Sequence, residues 1–276
     1  MSGILKSNRY RYLRGGVFPS VILTSMFSAF MSLIAVKLIA KYALELPSES
    51  FSVLYSNGYY NFGVLKVENV QDLANLSIEQ VVSSAFAGGF LALVLAIFIP
   101  MFICGSFKGG FIQNAFVRGN SKGSILGAYV ISSLEVFAAL FIAYILSLLI
   151  SSSLVMGVSV SGDSLFRCMG VFVREILAHF VFLCVCIAIS FIVNKTSSCI
   201  VALIFSVIAF PGLFNTMDLI LQKDLKLSYL WIVNIIGTWS VPDPANFALG
   251  LGAAALTLVL STGTALILFV FSDLKQ

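Results

Sequence analysis

Six long apolar stretches limit what this chain can fold into more than any other feature of its sequence. A helix needs about 20 apolar residues to cross the hydrocarbon core of a bilayer. Runs of nearly this length or longer occur at residues 17–36, 81–104, 124–150, 176–194, 197–214 and 248–271. They predict an all-α integral membrane protein with six transmembrane helices.

The composition favours a membrane protein over a soluble one. Apolar residues make up 59% of the 276 residues and charged residues only 10%, whereas soluble domains carry about 25% charged residues. The first apolar stretch lacks the small-residue cleavage site of a secretory signal, so we expect it to remain as an anchor. We expect residues 1–276 to form a single transmembrane domain.

The distribution of basic residues predicts the orientation, because Lys and Arg concentrate on the cytoplasmic side of membrane proteins. With six crossings, nine basic residues and one acid, Asp273, fall on one side. Seven basic residues and ten acids fall on the other. Both termini are therefore predicted to be cytoplasmic in a multi-pass protein of the plasma membrane.

Two segments are predicted to lie on the outer side. Residues 37–80 form the longest hydrophilic loop, and they contain no His cluster and no nucleophile with a nearby base, so we assign them no chemistry. Residues 227–241 are apolar but short, and Trp231 and Trp239 stand where interface anchors are common. We expect a re-entrant or interfacial helix there, before the last crossing; a seventh crossing is the alternative.

Residues 3–14 predict an amphipathic helix at the membrane surface. Leu5 and Tyr12 would face lipid, and cations on the same helix would meet anionic headgroups. These cations are Lys6, Arg9, Arg11 and Arg14. The alternative is a simple basic cluster that only sets the topology, because it explains the charge equally well.

Two intramembrane polar residues are functional candidates. Glu135 is expected near mid-bilayer, about 16 Å along a helix from Ser124 at about 1.5 Å per residue. An acid there is either a functional ion or proton site or a protonated group bonded to a neighbouring helix. His179, the single histidine, is expected as an interface residue near the outer end of its helix rather than as a ligand or proton relay.

Residues 105–123 form a basic, glycine-rich connection on the predicted cytoplasmic side. Apolar residues within it are spaced to form the stripe of a short helix, with Lys108 and Arg118 beside it and glycines as stops. The stripe consists of Phe107, Phe111, Phe116 and Val117. Such a helix binds headgroups or fits a groove on a soluble protein, and the residues alone leave both readings open.

The same connection resembles a signature of permease subunits in type-two ATP-binding-cassette (ABC) exporters, in particular bacterial ones for peptide or lantibiotic export or immunity. The resemblance is carried by Phe107, Gly110, Ile112, Asn114, Arg118-Gly119, Ser121-Lys122 and Ile125. In that family the segment includes the coupling helix that docks onto the ATPase. The resemblance therefore implies that the ATPase contact involves Phe107, Lys108, Phe111, Asn114, Arg118 and Lys122.

The resemblance also implies partners. Such a permease works as a homodimer or heterodimer with a second permease and with separate ATPase subunits. The chain contains no G-x-x-x-x-G-K-[ST] phosphate loop, so ATP and Mg²⁺ would belong to the partner, and we expect no catalytic, metal or cofactor site in this chain. No nucleic-acid partner is expected.

The expected activity is outward movement of a hydrophobic or amphipathic substrate, with a peptide favoured. The alternative is a secondary transporter or channel that uses Glu135 as its ion or proton site. An intramembrane enzyme ranks third, because the apolar stretches contain no paired acids and no Ser/His constellation.

Overall fold

A computed structural model describes residues 2–14, 17–45, 55–56, 59–62, 65–67, 76–157, 161–221 and 244–271. Most of these residues are helical. In chain order the helices are α1 (Ser2–Arg14), α2 (Val17–Glu45), α3 (Ile78–Ala87), α4 (Phe90–Lys108), α5 (Phe111–Val117), α6 (Lys122–Ser151), α7 (Gly162–Val193), α8 (Thr196–Leu221) and α9 (Pro244–Phe271). A π-helical turn, Ser152–Met156, extends α6.

Three short strands form an antiparallel sheet inside the loop predicted over residues 37–80. They are β1 (Tyr55–Ser56), β2 (Tyr59–Phe62) and β3 (Leu65–Val67), in the order β1-β2-β3. The strand β3 contacts α2 and α3. The sequence did not predict these strands. The prediction of an all-α protein therefore holds for the described helices that can span a membrane and not for the loop between α2 and α3.

Five helices of the described residues are long and apolar enough to cross a membrane. They are Phe18–Glu45, Phe90–Lys108, Lys122–Val155, Gly162–Val193 and Leu249–Phe269. A shorter apolar helix, Thr196–Phe210, forms the first part of α8. The prediction of a multi-pass, helical membrane protein is confirmed at this level. The re-entrant element predicted over 227–241 lies outside the described residues.

Two of the predicted crossings extend especially far beyond their apolar stretches. The helix α2 continues past residue 36 to Glu45, and α7 begins at Gly162 rather than at residue 176. Ser161 caps α7, because its hydroxyl accepts a hydrogen bond from the Ser164 amide at 3.3 Å. Polar turns continue both helices beyond the apolar residues from which the crossings were predicted.

The crossing predicted over 81–104 is divided into α3 and α4. A capping box between Ser77 and Gln80 starts α3. The break falls at Gly88 and Gly89, where Gly89 has a φ of 68°, a left-handed conformation that glycine adopts without a steric penalty. The helix α3 is therefore a separate element, and it packs against α7.

The helices α2 and α6 are joined by side-chain hydrogen bonds as well as by packing. These bonds run from the Ser25 hydroxyl to the Leu140 carbonyl (3.2 Å), from the Ser147 hydroxyl to the Met26 carbonyl (3.1 Å), and between the Ser32 and Tyr144 hydroxyls (3.1 Å). Polar groups that bond across helices hold a membrane bundle together. The Tyr144 hydroxyl also donates to the Ala85 carbonyl at 3.1 Å, which ties α3 to this pair.

The helix α7 lies at the centre of the bundle and packs against α3, α4, α6, α8 and α9. The helix α9 packs mainly on α7. Its described hydroxyl side chains all bond to carbonyls of α9 itself: Thr257 to Ala253, Ser261 and Thr262 to Leu258, and Thr264 to Leu260. Within the described residues, α9 is thus attached to the bundle by packing rather than by hydroxyl bonds.

Candidate functional site

The short helix α5 owes its bounds to glycines on both sides. Gly110, which precedes α5, has a φ of 69°, and Gly119, which follows it, has a φ of 81°. Most side chains are strained in this conformation. A Cβ on Gly109 would lie 2.9 Å from the Phe111 ring, so that position is restricted by space as well. The predicted helix between glycine stops is confirmed.

The two faces of α5 differ in burial. Ile112 is completely buried and anchors the helix to the bundle. Phe111 and Phe116 are each 44% exposed, and Val117 is 83% exposed. Three apolar side chains are therefore partly or largely uncovered on a connection that also carries Lys108 and Arg118, both exposed.

Phe107 does not belong to this exposed face. Its ring packs edge-on against Phe191 of α7, with 5.7 Å between the ring centroids, and against Phe269 of α9, at 6.4 Å. The predicted stripe is wrong at this position, because the turn at Gly109 and Gly110 separates the end of α4 from α5. Asn114 is exposed on α5, and Lys122 is partly buried at the start of α6.

Arg11 of α1 links α1 to α4 and α5. Its guanidinium lies 4.0 Å from the centre of the Phe111 ring, a cation–π contact. The same guanidinium donates a hydrogen bond to the Ser106 hydroxyl of α4 at 2.8 Å. The Tyr129 hydroxyl of α6 lies 3.5 Å from the same guanidinium. We call the region where α1, the end of α4, α5 and the first half of α6 meet the α1–α5 junction.

Glu135 of α6 makes a second set of contacts with α1, through Arg9 and Tyr12. The Arg9 Nε lies 3.0 and 3.2 Å from the two carboxylate oxygens, and the Arg9 Nη2 also bonds Glu135. The Tyr12 hydroxyl donates to Glu135 at 2.8 Å, and the Asn8 amide donates to the Ser132 hydroxyl at 3.2 Å. A bidentate arginine and a phenol thus occupy the carboxylate.

The ionisable groups of α1 respond to this contact. Burial, and then the hydrogen bond to Glu135, raises the pKa of Tyr12 to about 12. The hydrogen bond to Glu135 also raises the pKa of Arg9 above its ordinary value. Tyr12 therefore remains a hydrogen-bond donor, and Arg9 remains a cation, at any physiological pH.

The structure changes the expected role of several α1 residues. Tyr12 is only 7% exposed and packs near Phe18 and Phe102, so the expectation that it faces lipid is wrong. Arg14 lies over the Tyr10 ring, 5.1 Å from its centre, and Lys6 is exposed. The helix α1 therefore packs on α6, and Lys6 and Arg14 lie on its exposed face.

A second ionisable pair, which the sequence reasoning missed, lies in α7. Glu175 and His179 are one helical turn apart and neither has any exposed surface, whereas the Glu135 side chain is 28% exposed. Glu135 is thus not the most buried acid of the described residues, and His179, which was expected to be an interface residue, has no exposed surface. The signal available was the spacing Glu-x-x-x-His inside a helix that begins well before residue 176.

The described residues contain no group of three or more His, Cys, Asp and Glu side chains that could hold a metal ion. All five cysteines are free thiols, and the sulfurs of Cys104 and Cys199 lie 3.5 Å apart, joining α4 to α8. Comparisons with models of known families, with curated proteins and with solved structures give no match to this chain.

Proposed function

We propose that this chain is the membrane-spanning subunit of an ATP-driven ABC exporter and that α5 is its docking helix for a separate ATPase. In this proposal the chain crosses the plasma membrane six times, with α8 as the fifth crossing and both termini in the cytoplasm. It pairs with a second permease, and the substrate is a hydrophobic or amphipathic molecule such as a peptide.

One observation carries the proposal: α5 leaves apolar side chains uncovered while its other side is firmly braced. Phe111, Phe116 and Val117 are uncovered, and Phe111 is backed by Arg11. Aromatic residues surrounded by cations are typical anchors of protein interfaces. Such a surface fits a groove that is apolar inside and acidic at its rim, with Arg118 placed to meet a carboxylate.

The bracing gives the docking helix a mechanical role. A displacement of α5 acts on α1 through the Phe111–Arg11 contact, and α1 is fixed to α6 by the bonds of Arg9 and Tyr12 to Glu135. A partner that binds one arrangement of α5 more tightly than another would shift the whole bundle toward that arrangement. ATP-dependent closure of the ATPases would supply such a preference.

The proposal is tested with a pair of matched double variants. Phe111→Asp with Arg118→Glu inverts the chemistry of the exposed face of α5. Phe166→Asp with Arg167→Glu makes the same changes near the start of α7, where Phe166 is 81% exposed and Arg167 is also exposed. Each is co-expressed with the ATPase subunit encoded nearest to this chain and purified through an affinity tag on the chain.

The first double variant should lower the recovered ATPase on the order of tenfold or more, because interface anchors carry most of the binding energy. The second should leave the recovery unchanged. Undiminished recovery with the first variant would refute the docking role of α5. An externally accessible reporter fused after Gln276 would refute the six-crossing topology.

The alternative of an ion or proton site at Glu135 meets a structural obstacle. Its carboxylate is already occupied by Arg9 and Tyr12, and an acceptor held in this way is not open to a passing cation. Loss of transport in Glu135→Gln with intact binding of the ATPase and an intact α1 contact would nevertheless favour that alternative.

A further inference from the structure

Glu175 and His179 lie in the bundle interior, away from the α1–α5 junction. They belong to α7, a helix apolar enough to span a membrane. His179 lies about 21 Å from the end of α7 at Val193, at about 1.5 Å per residue. Because both side chains are completely buried, a water molecule has no contact with their polar atoms in this conformation, and proton exchange requires a local opening of the bundle.

The hydrogen bonds of the pair are incomplete. The His179 Nδ1 lies 2.9 Å from the Glu175 backbone carbonyl, and since a carbonyl only accepts, Nδ1 carries a hydrogen. Within the described residues, His179 Nε2 and both carboxyl oxygens of Glu175 are buried without a hydrogen-bond partner. Nδ1 is also 3.4 Å from Glu175 Oε2, a contact that favours opposite charges but is shared with the stronger bond to the backbone.

Rings from two other helices enclose the histidine. The Phe86 ring of α3 and the Phe141 ring of α6 approach it edge-on, with centroid distances of 5.8 and 6.1 Å. Phe86 also stacks on Phe141, at 5.6 Å. An isolated charge in such apolar surroundings is strongly disfavoured, so the pair is stable only when its net charge is close to zero.

Few other charged groups could provide that balance. Arg174, on the same helix, and Tyr144 of α6 interact electrostatically with Glu175, but Tyr144 is neutral when it donates to Ala85. The Arg174 Nε is itself buried without a hydrogen-bond partner among the described residues. Among the described residues, Arg174 is thus a cation that acts on Glu175 through space, and it is not hydrogen-bonded to the carboxylate.

The helices packed against α7 add no further cation beside the pair. The described side chains of α9, residues 249–269, include no titratable group. The remaining titratable residues on the packed elements are Glu79 on α3, Cys104 and Lys108 on α4, Lys122, Tyr129 and Glu135 on α6, Cys199 and Asp218 on α8, and Asp163, Arg167, Cys168, Cys184 and Cys186 on α7 itself, where Asp163 and Arg167 are exposed near the start of the helix. Lys108 and Lys122 lie at the α5 end of their helices.

We propose that Glu175 and His179 together form a binding site for one exchangeable proton in the interior of the bundle. With a neutral imidazole and a carboxylate the pair has a net charge of −1. One added proton, on the carboxyl or on Nε2, makes the pair neutral, and a second makes it +1. The neutral, singly protonated pair is the state that the apolar surroundings favour, and we expect removal of either group to change how tightly the other binds a proton.

Proton release would act first on α3. The Phe86 ring contacts the histidine edge-on, and α3 is connected to α4 through the Gly88–Gly89 break rather than through a continuous helix. A charge appearing beside Phe86 would therefore loosen α3 from α7. The site does not depend on the docking role of α5, and it would operate equally in a protein with another function.

The test uses the fact that the chain contains a single histidine. The protein is produced without a polyhistidine tag, labelled with ¹⁵N-histidine and placed in lipid nanodiscs. The ring nitrogen resonances of His179 are followed against pH in wild type, Glu175→Gln and Asp163→Asn. The carbonyl stretch of Glu175 is followed by infrared difference spectroscopy in wild type and in His179→Asn, whose amide can still donate to the backbone carbonyl.

The proposal expects the midpoint of the His179 titration to differ about tenfold or more in proton concentration between wild type and Glu175→Gln, which is about one pH unit. Asp163→Asn, which neutralises an exposed acid of the same helix, should leave the midpoint unchanged. If Glu175→Gln does not fold, the Glu175 carbonyl band in His179→Asn must show the corresponding shift. Equal midpoints in all variants, or the absence of any titration while the protein stays folded, would overturn the proposal.

Discussion

The conformation of Gly110 gives the most direct quantitative test of how α5 is built. Gly110 immediately precedes α5 and has a φ of 69°. An added Cβ would meet only the side-chain amide nitrogen of Asn114, at 3.9 Å. Space is therefore sufficient, and the penalty for Gly110→Ala is backbone strain alone. A left-handed conformation costs an L-residue about 1–2 kcal/mol. The hydrogen bond from the Asn114 backbone N–H to the Gly110 carbonyl, 2.9 Å long, would be the first to open.

The strain should appear as easier local opening of α5 rather than as global unfolding. A change of about 1–2 kcal/mol corresponds to a factor of about 5–30 in the population of the open state. Hydrogen exchange measured by mass spectrometry on a peptide covering Phe111–Val117 should therefore become faster by that factor in Gly110→Ala. Peptides from α6 serve as an internal reference, because α6 does not depend on this turn.

Two further variants separate strain from composition. Gly105→Ala adds the same methyl group inside α4, where nothing lies within 4 Å of the new Cβ, so it should leave α5 exchange unchanged and favour α4 by about 0.5–1 kcal/mol. Gly110→Asn should restore much of the protection, since asparagine tolerates this conformation. If Gly110→Ala exchanges like wild type, or if Asn is as disruptive as Ala, the reasoning about the turn is refuted.

Three other predictions concern the contacts of α1 and α3. Glu135→Gln removes the anionic partner of Arg9 and should accelerate trypsin cleavage after Arg9 and Arg11 several-fold, whereas Asp163→Asn should not; equal rates would mean that the ion pair does not hold α1. Tyr144→Phe leaves the Ala85 carbonyl without its donor and should lower the free energy of unfolding in mixed micelles by about 1–2 kcal/mol. Tyr10→Phe, at a side chain that is 60% exposed, should change it by less than about 0.5 kcal/mol. Because the pKa of Tyr12 rises from 10.0 to about 12 on folding, its contribution to stability is complete below pH 10 and is lost as the pH rises through about 12. The difference in ultraviolet absorbance between wild type and Tyr12→Phe should therefore titrate near pH 12, and a midpoint near 10 would show that the phenol is solvated.

Local features were predictable from the sequence because their causes are local. The apolar stretches predicted the membrane helices, since length and hydropathy decide whether a segment can span. The glycines around Phe111–Val117 predicted a short helix between two stops. These signals involve residues only a few positions apart.

Contacts between distant parts of the chain were not predictable in this way. Arg9 and Glu135 are separated by 126 positions, and nothing in either neighbourhood indicates the other. The burial of Glu175 was missed because the predicted crossing started at residue 176, the first residue after Glu175. The helix α7 starts at Gly162 and already includes Glu175. Phe107 was placed on the wrong face because a helical stripe was extended across Gly109 and Gly110, where the chain changes direction.

The different ways in which α2 and α9 are attached suggest which parts of the bundle can move. Sliding α2 along α6 would break three hydrogen bonds between hydroxyl groups and the facing helix. Sliding α9 along α7 would break none among the described residues, because each hydroxyl of α9 travels with the carbonyl that it bonds. Hydrogen bonds therefore fix α2 and α6 relative to each other. Among the described residues, a displacement of α9 along α7 is opposed by side-chain packing and not by hydroxyl bonds between the two helices.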